Sequence, residues 1–175
     1  MVGDSYNTNL AAEFYVLSML HRLGAEANLT LGNKKSVDIA VIRGEGDSVT
    51  IDVKGLAGKT AWPVDNLGEP SDRHFIVFIC FLGKIKEPHV APEAWVIPST
   101  TVKSFVYEAP RGRRVVQRSK LKAEAERFKD AWSLVTETPV PESHLALAEE
   151  RLANYRRDPS RARPAHDVLD RLANR

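Results

Sequence analysis

The sequence predicts an α/β fold, on three observations: an amphipathic stretch at helical spacing near the N-terminus, several β-branched runs through the middle, and helical spacing again in the last third. At 175 residues, 43% hydrophobic and 27% charged, the chain has the make-up of a soluble globular protein with one good core and a small appendage. The longest apolar run, residues 75–82, is far too short to span a bilayer, and the first residues lack the basic-then-apolar pattern of a signal peptide. No membrane association and a cytoplasmic location are therefore expected. The single Cys80 allows no intrachain disulfide and sits inside that apolar run, as a buried thiol would. The five histidines are scattered without ligand-like spacing, which argues against a zinc site.

The first helix is expected over residues 9–23, with Asn7, Thr8 or Asn9 as N-cap and Gly24 to end it. On a helical wheel Leu10, Phe14, Val16, Leu17, Leu20 and Leu23 form one apolar arc with Glu13 in its middle, leaving Ala11, Tyr15, Ser18 and Arg22 outside. Residues 27–31 read as a short strand before a turn at Gly32-Asn33. Residues 37–42 and 49–53 then read as an antiparallel hairpin, turned by Gly44, Glu45, Gly46 and Asp47. Alternation puts Val37, Ile39 and Val41 on one face with Asp38 and Ala40 on the other. In the partner strand Val49, Ile51 and Val53 oppose Asp52 and Lys54. Asp52 and Lys54 thus project the same way with Cα atoms roughly 7 Å apart, a spacing that suits two groups flanking one phosphate.

Residues 55–72, with Gly55, Gly58, Pro63, Gly68 and Pro70, read as a long loop. Lys59 and Trp62 within it are placed to touch a substrate, although Trp62-Pro63 reads better as a hydrophobic clip. Residues 74–82 are apolar on both faces, as in a central strand, and residues 94–97 form another, ended by Pro98. A continuous helix is expected over 119–135, striped by Leu121, Ala125, Phe128, Trp132 and Val135. After Pro139 and Pro141 the composition changes. Residues 142–157 carry Leu145, Ala148, Leu152 and Tyr155 on one stripe and residues 165–174 carry Ala165, Val168, Leu169 and Leu172. This predicts a C-terminal helical pair over 138–175, appended to a domain over 1–137. The pair has three readings: packing on the core, on a second copy to make a homodimer, or on nothing.

Net charge is only +2, but it is unevenly placed. Residues 1–110 carry 10 Lys/Arg against 13 Asp/Glu, and residues 111–175 carry 15 against 10. Arg111, Arg113, Arg114, Arg118, Lys120 and Lys122 follow one another with no acid between them. That run either neutralises phosphates or is a solvated loop and helix start, and the sequence leaves both open.

The most informative residues are Glu13, Asp38, Asp52 and Lys54, each at a position its local pattern turns inward. An uncompensated buried carboxylate costs several kcal/mol, so such a cluster needs a cation, and a neighbouring lysine suggests an anionic substrate or intermediate. The combination reads as a divalent-metal phosphodiesterase site.

The order helix with Glu13, strand with Asp38, strand with Asp52-Val53-Lys54 and then a buried strand resembles the PD-(D/E)xK nuclease superfamily. The first-helix Glu makes it most similar to the branch of Holliday-junction resolvases, an order also found among restriction and repair enzymes. The resemblance covers roughly residues 8–100. It rests less on the three-residue motif than on the acid in the preceding strand and the Glu in the core arc of the preceding helix. It implies a restriction-endonuclease-like core, a mixed central sheet flanked by helices. It also implies that Asp38 and Asp52 bind Mg²⁺ (or Mn²⁺), that the Val53 carbonyl is a further ligand, that Glu13 completes the metal site, and that Lys54 positions or activates the attacking water. Val37 stands where the family nominally has Pro, and residues 56–72 give only a weak signal for the family's next helix. The implied activity is metal-dependent endonucleolytic cleavage of DNA in defence, restriction, or recombination and repair. Lys59, Arg111, Arg113, Arg114, Arg118 and Lys120 are the expected nucleic-acid contacts. The other class left open is a nuclease-fold protein that binds nucleic acid or a protein partner without cutting.

Overall fold

A central mixed sheet is what the hairpin and the apolar strand build together. The computed structural model describes residues 3–30, 37–44, 47–109, 112–138 and 142–159. It divides into two units, residues 1–138 and residues 139–175. In the first unit α1 (Gly3–Arg22) is followed by β1 (Glu26–Leu29), β2 (Ile39–Gly44), β3 (Asp47–Leu56), β4 (Ala61–Pro63), β5 (His74–Cys80) and β6 (Glu93–Pro98). Then come α2 (Ser99–Val102), β7 (Val106–Glu108), β8 (Arg114–Gln117), α3 (Arg118–Glu124) and α4 (Ser133–Thr136). The five-stranded sheet has the order β1-β2-β3-β5-β6. All its pairs are antiparallel except β3 and β5, which run parallel.

The hairpin falls where alternation placed it, with Ile39 opposite Ile51 and Val41 opposite Val49. Ile39, Val41, Val49, Ile51 and Val53 are buried beneath Ala12, Val16 and Leu20 of α1, together with Val77 and Ile79 of β5. On the opposite face Trp62, Ile76, Phe78, Trp95, Val116 and Leu121 form a second buried cluster. Every residue of β5 is buried, because both faces of this strand are covered.

The parallel pairing of β3 with β5 requires a crossover, and residues 57–73 supply it. The expectation of a loop there, with room for one short helical turn, is corrected. β3 continues through Gly55 to Leu56, and the crossover lays down β4, which joins β8 and β7 in a three-stranded antiparallel sheet. Trp62 is the clip anticipated. It is fully buried, donates its indole N–H to the Ile79 carbonyl at 3.0 Å, and packs edge-on against Phe78 and Trp95. Cys80 is buried as expected, its Sγ 3.2 Å from the Gly58 carbonyl.

Two helix expectations change. α1 begins six residues earlier than its apolar pattern, so Asn7, Thr8 and Asn9 lie inside the helix rather than capping it. The added turns pack on β3 at Gly55, where a Cβ would lie 2.8 Å from the Thr8 carbonyl oxygen and 3.1 Å from the Ala12 Cβ. This close approach also rotates the buried line onto Thr8, Ala12, Val16 and Leu20. Phe14 and Leu23 are left about half exposed, and Glu13 stands half-buried at the flank of the stripe, not at its middle.

The expected helix over 119–135 is broken. α3 stops at Glu124, a 3₁₀ turn covers Glu126–Phe128, Asp130 takes a positive φ of 49°, and α4 starts at Ser133. The reason is which face each apolar residue serves. Leu121, Ala125 and Phe128 belong to the second cluster, Trp132 and Val135 to the first. The chain therefore has to round the sheet edge at β6, and it does so by bridging Lys129 to Trp95 and donating the Asp130 N–H to the Ala94 carbonyl. Beyond the edge, Arg43 of β2 donates to the carbonyls of Leu134 and Glu137, satisfying the end of α4.

The second unit contains α5 (Glu142–Arg157), at the place the first C-terminal stripe indicated. Leu145, Leu152 and Tyr155 are about half exposed. The helix expected over 165–174 and the turn at Gly32-Asn33 lie outside the described residues, as do Glu45 and Gly46. Among the described residues no helix is long and apolar enough to cross a membrane.

Candidate active site

The site starts from an unpaired backbone group. β2 opens at Ile39, so the antiparallel ladder along β3 ends at Ile51, and the Val53 N–H two residues on has no strand to bond. Asp38, in the bend directly before β2, fills that gap. Its Oδ2 accepts the Val53 N–H at 2.6 Å, while its own N–H donates to the Ile51 carbonyl at 2.8 Å and its carbonyl accepts the Thr30 N–H at 2.9 Å. The carboxylate is thus fixed from both sides by backbone. Alternation sends the Val53 side chain into the α1 face and leaves Asp52 and Lys54 on the opposite face, in register with Ile76 and Phe78 of β5.

Lys54 Nζ lies 2.8 Å from Asp52 Oδ1, with side-chain exposures of 13% and 3%. Asp52 Oδ2 is buried, with no hydrogen-bond partner among the described residues. Asp38 comes within hydrogen-bonding range of Asp52. Burial pushes the Asp38 carboxyl up, the Val53 N–H opposes this, and the neighbouring Asp52 charge adds to the rise. Glu13 is raised first by burial and then by the charges of Asp38 and Asp52, with Lys54 opposing. It therefore lies within electrostatic reach of the pair. Among the described residues, however, no three His, Cys, Asp or Glu side chains come close enough together to hold a metal ion. The structure joins Asp38, Asp52 and Lys54 and leaves Glu13 at the margin.

Two further groups on the same face escape a reading of the sequence. Thr50, two residues before Asp52, is in register with His74, and its Oγ1 is 2.9 Å from the His74 Nδ1. Burial lowers the His74 pKa, a hydrogen bond to the Thr50 backbone raises it, and the Lys54 charge lowers it further. His74 was hidden because it opens an otherwise apolar strand, and only the β3–β5 register carries it to the site.

The basic residues lie elsewhere and are mostly engaged. Arg114 donates its backbone N–H to Asp65 Oδ1 at 2.7 Å and its guanidinium to the Asp65 carbonyl, while Arg113 Nε is 3.5 Å from Asp65 Oδ2. Arg118 Nε is 2.7 Å from Glu93 Oε2, a bond that holds the Glu93 carboxyl below its ordinary range. Lys120 Nζ donates to the Ser104 carbonyl at 2.8 Å. Arg113, Arg114 and Arg118 are thus engaged by Asp65 and Glu93, which are distant in sequence and adjacent in space, while Lys120 meets a carbonyl and Lys122 is exposed. Lys59 is exposed in the β3–β4 connection, where Lys54 and not Lys59 is the cation acting on Asp38 and Glu13. Arg111 lies outside the described residues.

The carboxylate pair fits a divalent cation by its donor chemistry. A buried carboxylate oxygen without a partner, beside a second carboxylate it repels, is an arrangement that a hard cation relieves. No family model matches the sequence, and no curated protein matches it. Among solved structures the chain is similar to a bacterial homing endonuclease at 12% identity, over 86% of this chain and 98% of that one, with a TM-score of 0.44. A likeness of that size carries no argument about chemistry, which has to come from the side chains.

Proposed function

We propose that the chain is a metal-dependent nuclease that hydrolyses phosphodiester bonds in DNA. The observation that carries this reading is the orphaned Asp52 Oδ2, buried beside Asp38 while Lys54 occupies the other oxygen. Asp38 and Asp52 would hold Mg²⁺ or Mn²⁺, with the Val53 carbonyl as a third protein oxygen, since it leaves β3 on the same edge as the N–H that meets Asp38. Glu13 would add its charge to the site from the margin. Mg²⁺ keeps several waters beside one or two carboxylates, so a two-carboxylate site suits it. When bound, it lowers the pKa of a coordinated water and stabilises charge on the leaving oxygen.

This chain's own residues do the rest. Asp52 holds Lys54 beside the carboxylate pair, where its ammonium would offset negative charge building on phosphorus and orient the attacking water. Asp38, locked by the Val53 N–H, keeps its free oxygen directed without losing side-chain freedom at each turnover. A nuclease-fold protein that binds without cutting is the second reading, favoured by the stand-off of Glu13. Incubation of the purified chain with a panel of labelled DNA and RNA structures, in Mg²⁺ and in EDTA, separates the two. Cleavage in Mg²⁺ that disappears in EDTA and in Asp52→Asn is expected, and cleavage that persists in either rejects the site.

A further inference from the structure

A cavity of about 480 Å³ opens on the same sheet face as Asp52 and Lys54. Its walls include Leu67, Ile76 and Val102, and Ile76 is in register with Asp52 on the adjacent strand. Its polar lining is balanced: Lys103 and Arg114 against Glu69 and Glu108, with the Arg114 guanidinium already committed to the Asp65 carbonyl. A phosphate pocket would gather cations, and this one does not. Apolar walls with mixed donors and acceptors suit a flat, uncharged heterocycle, and the volume accommodates a single nucleoside.

The cavity also extends toward the carboxylates, although Asp38, Asp52 and Lys54 line neither depression. A second depression of about 390 Å³ shares Gly68, Glu69 and His74 with the first and runs past Thr50 to Val37, two residues before Asp52 and one before Asp38 in the chain. Arg73 lines this second depression with its side chain about two-thirds exposed, placed to meet a phosphate between the two ends. His74 sits where the depressions join, and Thr50 engages its Nδ1. The loop that roofs the cavity is pinned rather than loose. Ser99 Oγ accepts the Ser71 N–H and donates to the Ser71 carbonyl, both at 2.9 Å.

We infer that this cavity receives one unpaired nucleobase beside the Asp38–Asp52 site, so that the substrate is DNA with an unpaired or extruded nucleotide and not an intact duplex. The inference rests on the nuclease reading of the carboxylate site. Base pairing and stacking keep bases inside a duplex, so a pocket of this kind admits a nucleotide already freed by a bulge, flap or single strand at the least cost.

The test compares affinities, in EDTA, for a duplex and for the same duplex with one central bulged nucleotide. The bulged DNA is expected to bind at least about tenfold tighter. Leu67→Trp, which fills the cavity from the crossover, should remove the preference while leaving duplex affinity unchanged. Should Leu67→Trp not fold, a fluorescent aminopurine at the bulge in complex with the unaltered protein gives the same answer. Its emission should change on binding, and the same label in a flanking pair should not respond. Equal affinities, a preference that survives Leu67→Trp, or identical responses of the two labels overturn the pocket and leave the nuclease reading standing. Binding of neither DNA, with no cleavage in Mg²⁺, overturns the nuclease reading and the pocket with it.

Discussion

The ammonium of Lys54 is 2.8 Å from one carboxylate oxygen of Asp52, and the other oxygen is buried with no bonded partner among the described residues, in a carboxylate that has Asp38 within hydrogen-bonding range. Lys54 thus compensates one side of the buried carboxylate, and under the proposed function a metal ion would meet the other. Breaking a buried pair by removing one partner costs about 3 kcal/mol or more, because the remaining charge has lost its counter-ion. Lys54→Ala should therefore lower the metal-free melting temperature by several degrees, and Mn²⁺ should recover most of the loss. Cleavage should stay down by a few orders of magnitude even at saturating metal. Thermal melts with and without Mn²⁺, alongside single-turnover rates, check both. A metal-free melt unchanged from wild type would show that Lys54 does not neutralise Asp52.

Asp38→Asn has the opposite sign. The amide oxygen can still accept the Val53 N–H, and the amide nitrogen supplies a donor to Asp52 where two carboxylates now repel. Without metal this variant should melt higher than wild type. With Mg²⁺ it should lose the increment that mass action gives the native state. Calorimetric scans in EDTA and in Mg²⁺ decide it, and a variant that keeps the metal increment would remove Asp38 from the metal site.

Gly55 sets the distance between α1 and β3, and so where Glu13 stands. A Cβ there meets the Thr8 carbonyl at 2.8 Å, a backbone atom that cannot swing aside. Gly55→Ala should cost about 1–3 kcal/mol as overpacking. It should also push Glu13 outward, weakening Mg²⁺ affinity beyond what the loss of stability explains. Denaturant melts and metal titration of the same variant separate the two effects. A fully stable Gly55→Ala would mean α1 does not rest on this strand.

The hairpin and the shared face of Asp52 and Lys54 were legible because strand alternation has a period of two and a slip of one residue would bury the charges on the α1 face. The break in the helix over 119–135 was not. A helical stripe from Leu121 to Val135 has the same spacing whether it serves one face or, as here, two faces separated by a sheet edge. β4 was masked by the Gly and Pro around it, and Trp62 alone hinted that this crossover was packed. Glu13 was placed too centrally because Phe14 and Leu23 were counted as core, whereas Gly55 admits the small Ala12 instead. His74 and Thr50 depend on which strands pair, and parallel pairing leaves no local mark in sequence.

The Glu93–Arg118 pair gives a pH dependence of defined sign. The Arg118 hydrogen bond holds the Glu93 carboxyl below its ordinary value, so the pair's contribution is fully present above that ordinary value and is lost as pH falls through the lowered one. The melting-temperature difference between wild type and Arg118→Ala should be constant near neutrality and shrink under acid conditions below the ordinary glutamate range. Melts over a descending pH series read it directly. A gap that widens on acidification would reverse the assignment.

The basic run offers the last prediction, now divided by its partners. Arg113 and Arg114 are occupied with Asp65 and Arg118 with Glu93, whereas Lys122 is exposed and Lys120 presents an ammonium with donors to spare beyond the Ser104 carbonyl. Each phosphate contact releases counterions, so removing one flattens the slope of log affinity against log salt by about one unit, whatever the DNA sequence. Lys120→Ala with Lys122→Ala should therefore flatten that slope by up to about two units while barely moving the melting temperature. Arg113→Ala with Arg114→Ala should do the reverse. Its loss falls on the tie between β8 and Asp65, which is part of the roof over the sheet face, and the salt slope should change less. DNA affinities of both double variants at several salt concentrations, read beside their melting temperatures, distinguish the outcomes. If the arginine pair carries the larger slope change, Asp65 gives up its partners to the phosphates, and the ion pairs of the free protein are a resting arrangement that DNA displaces.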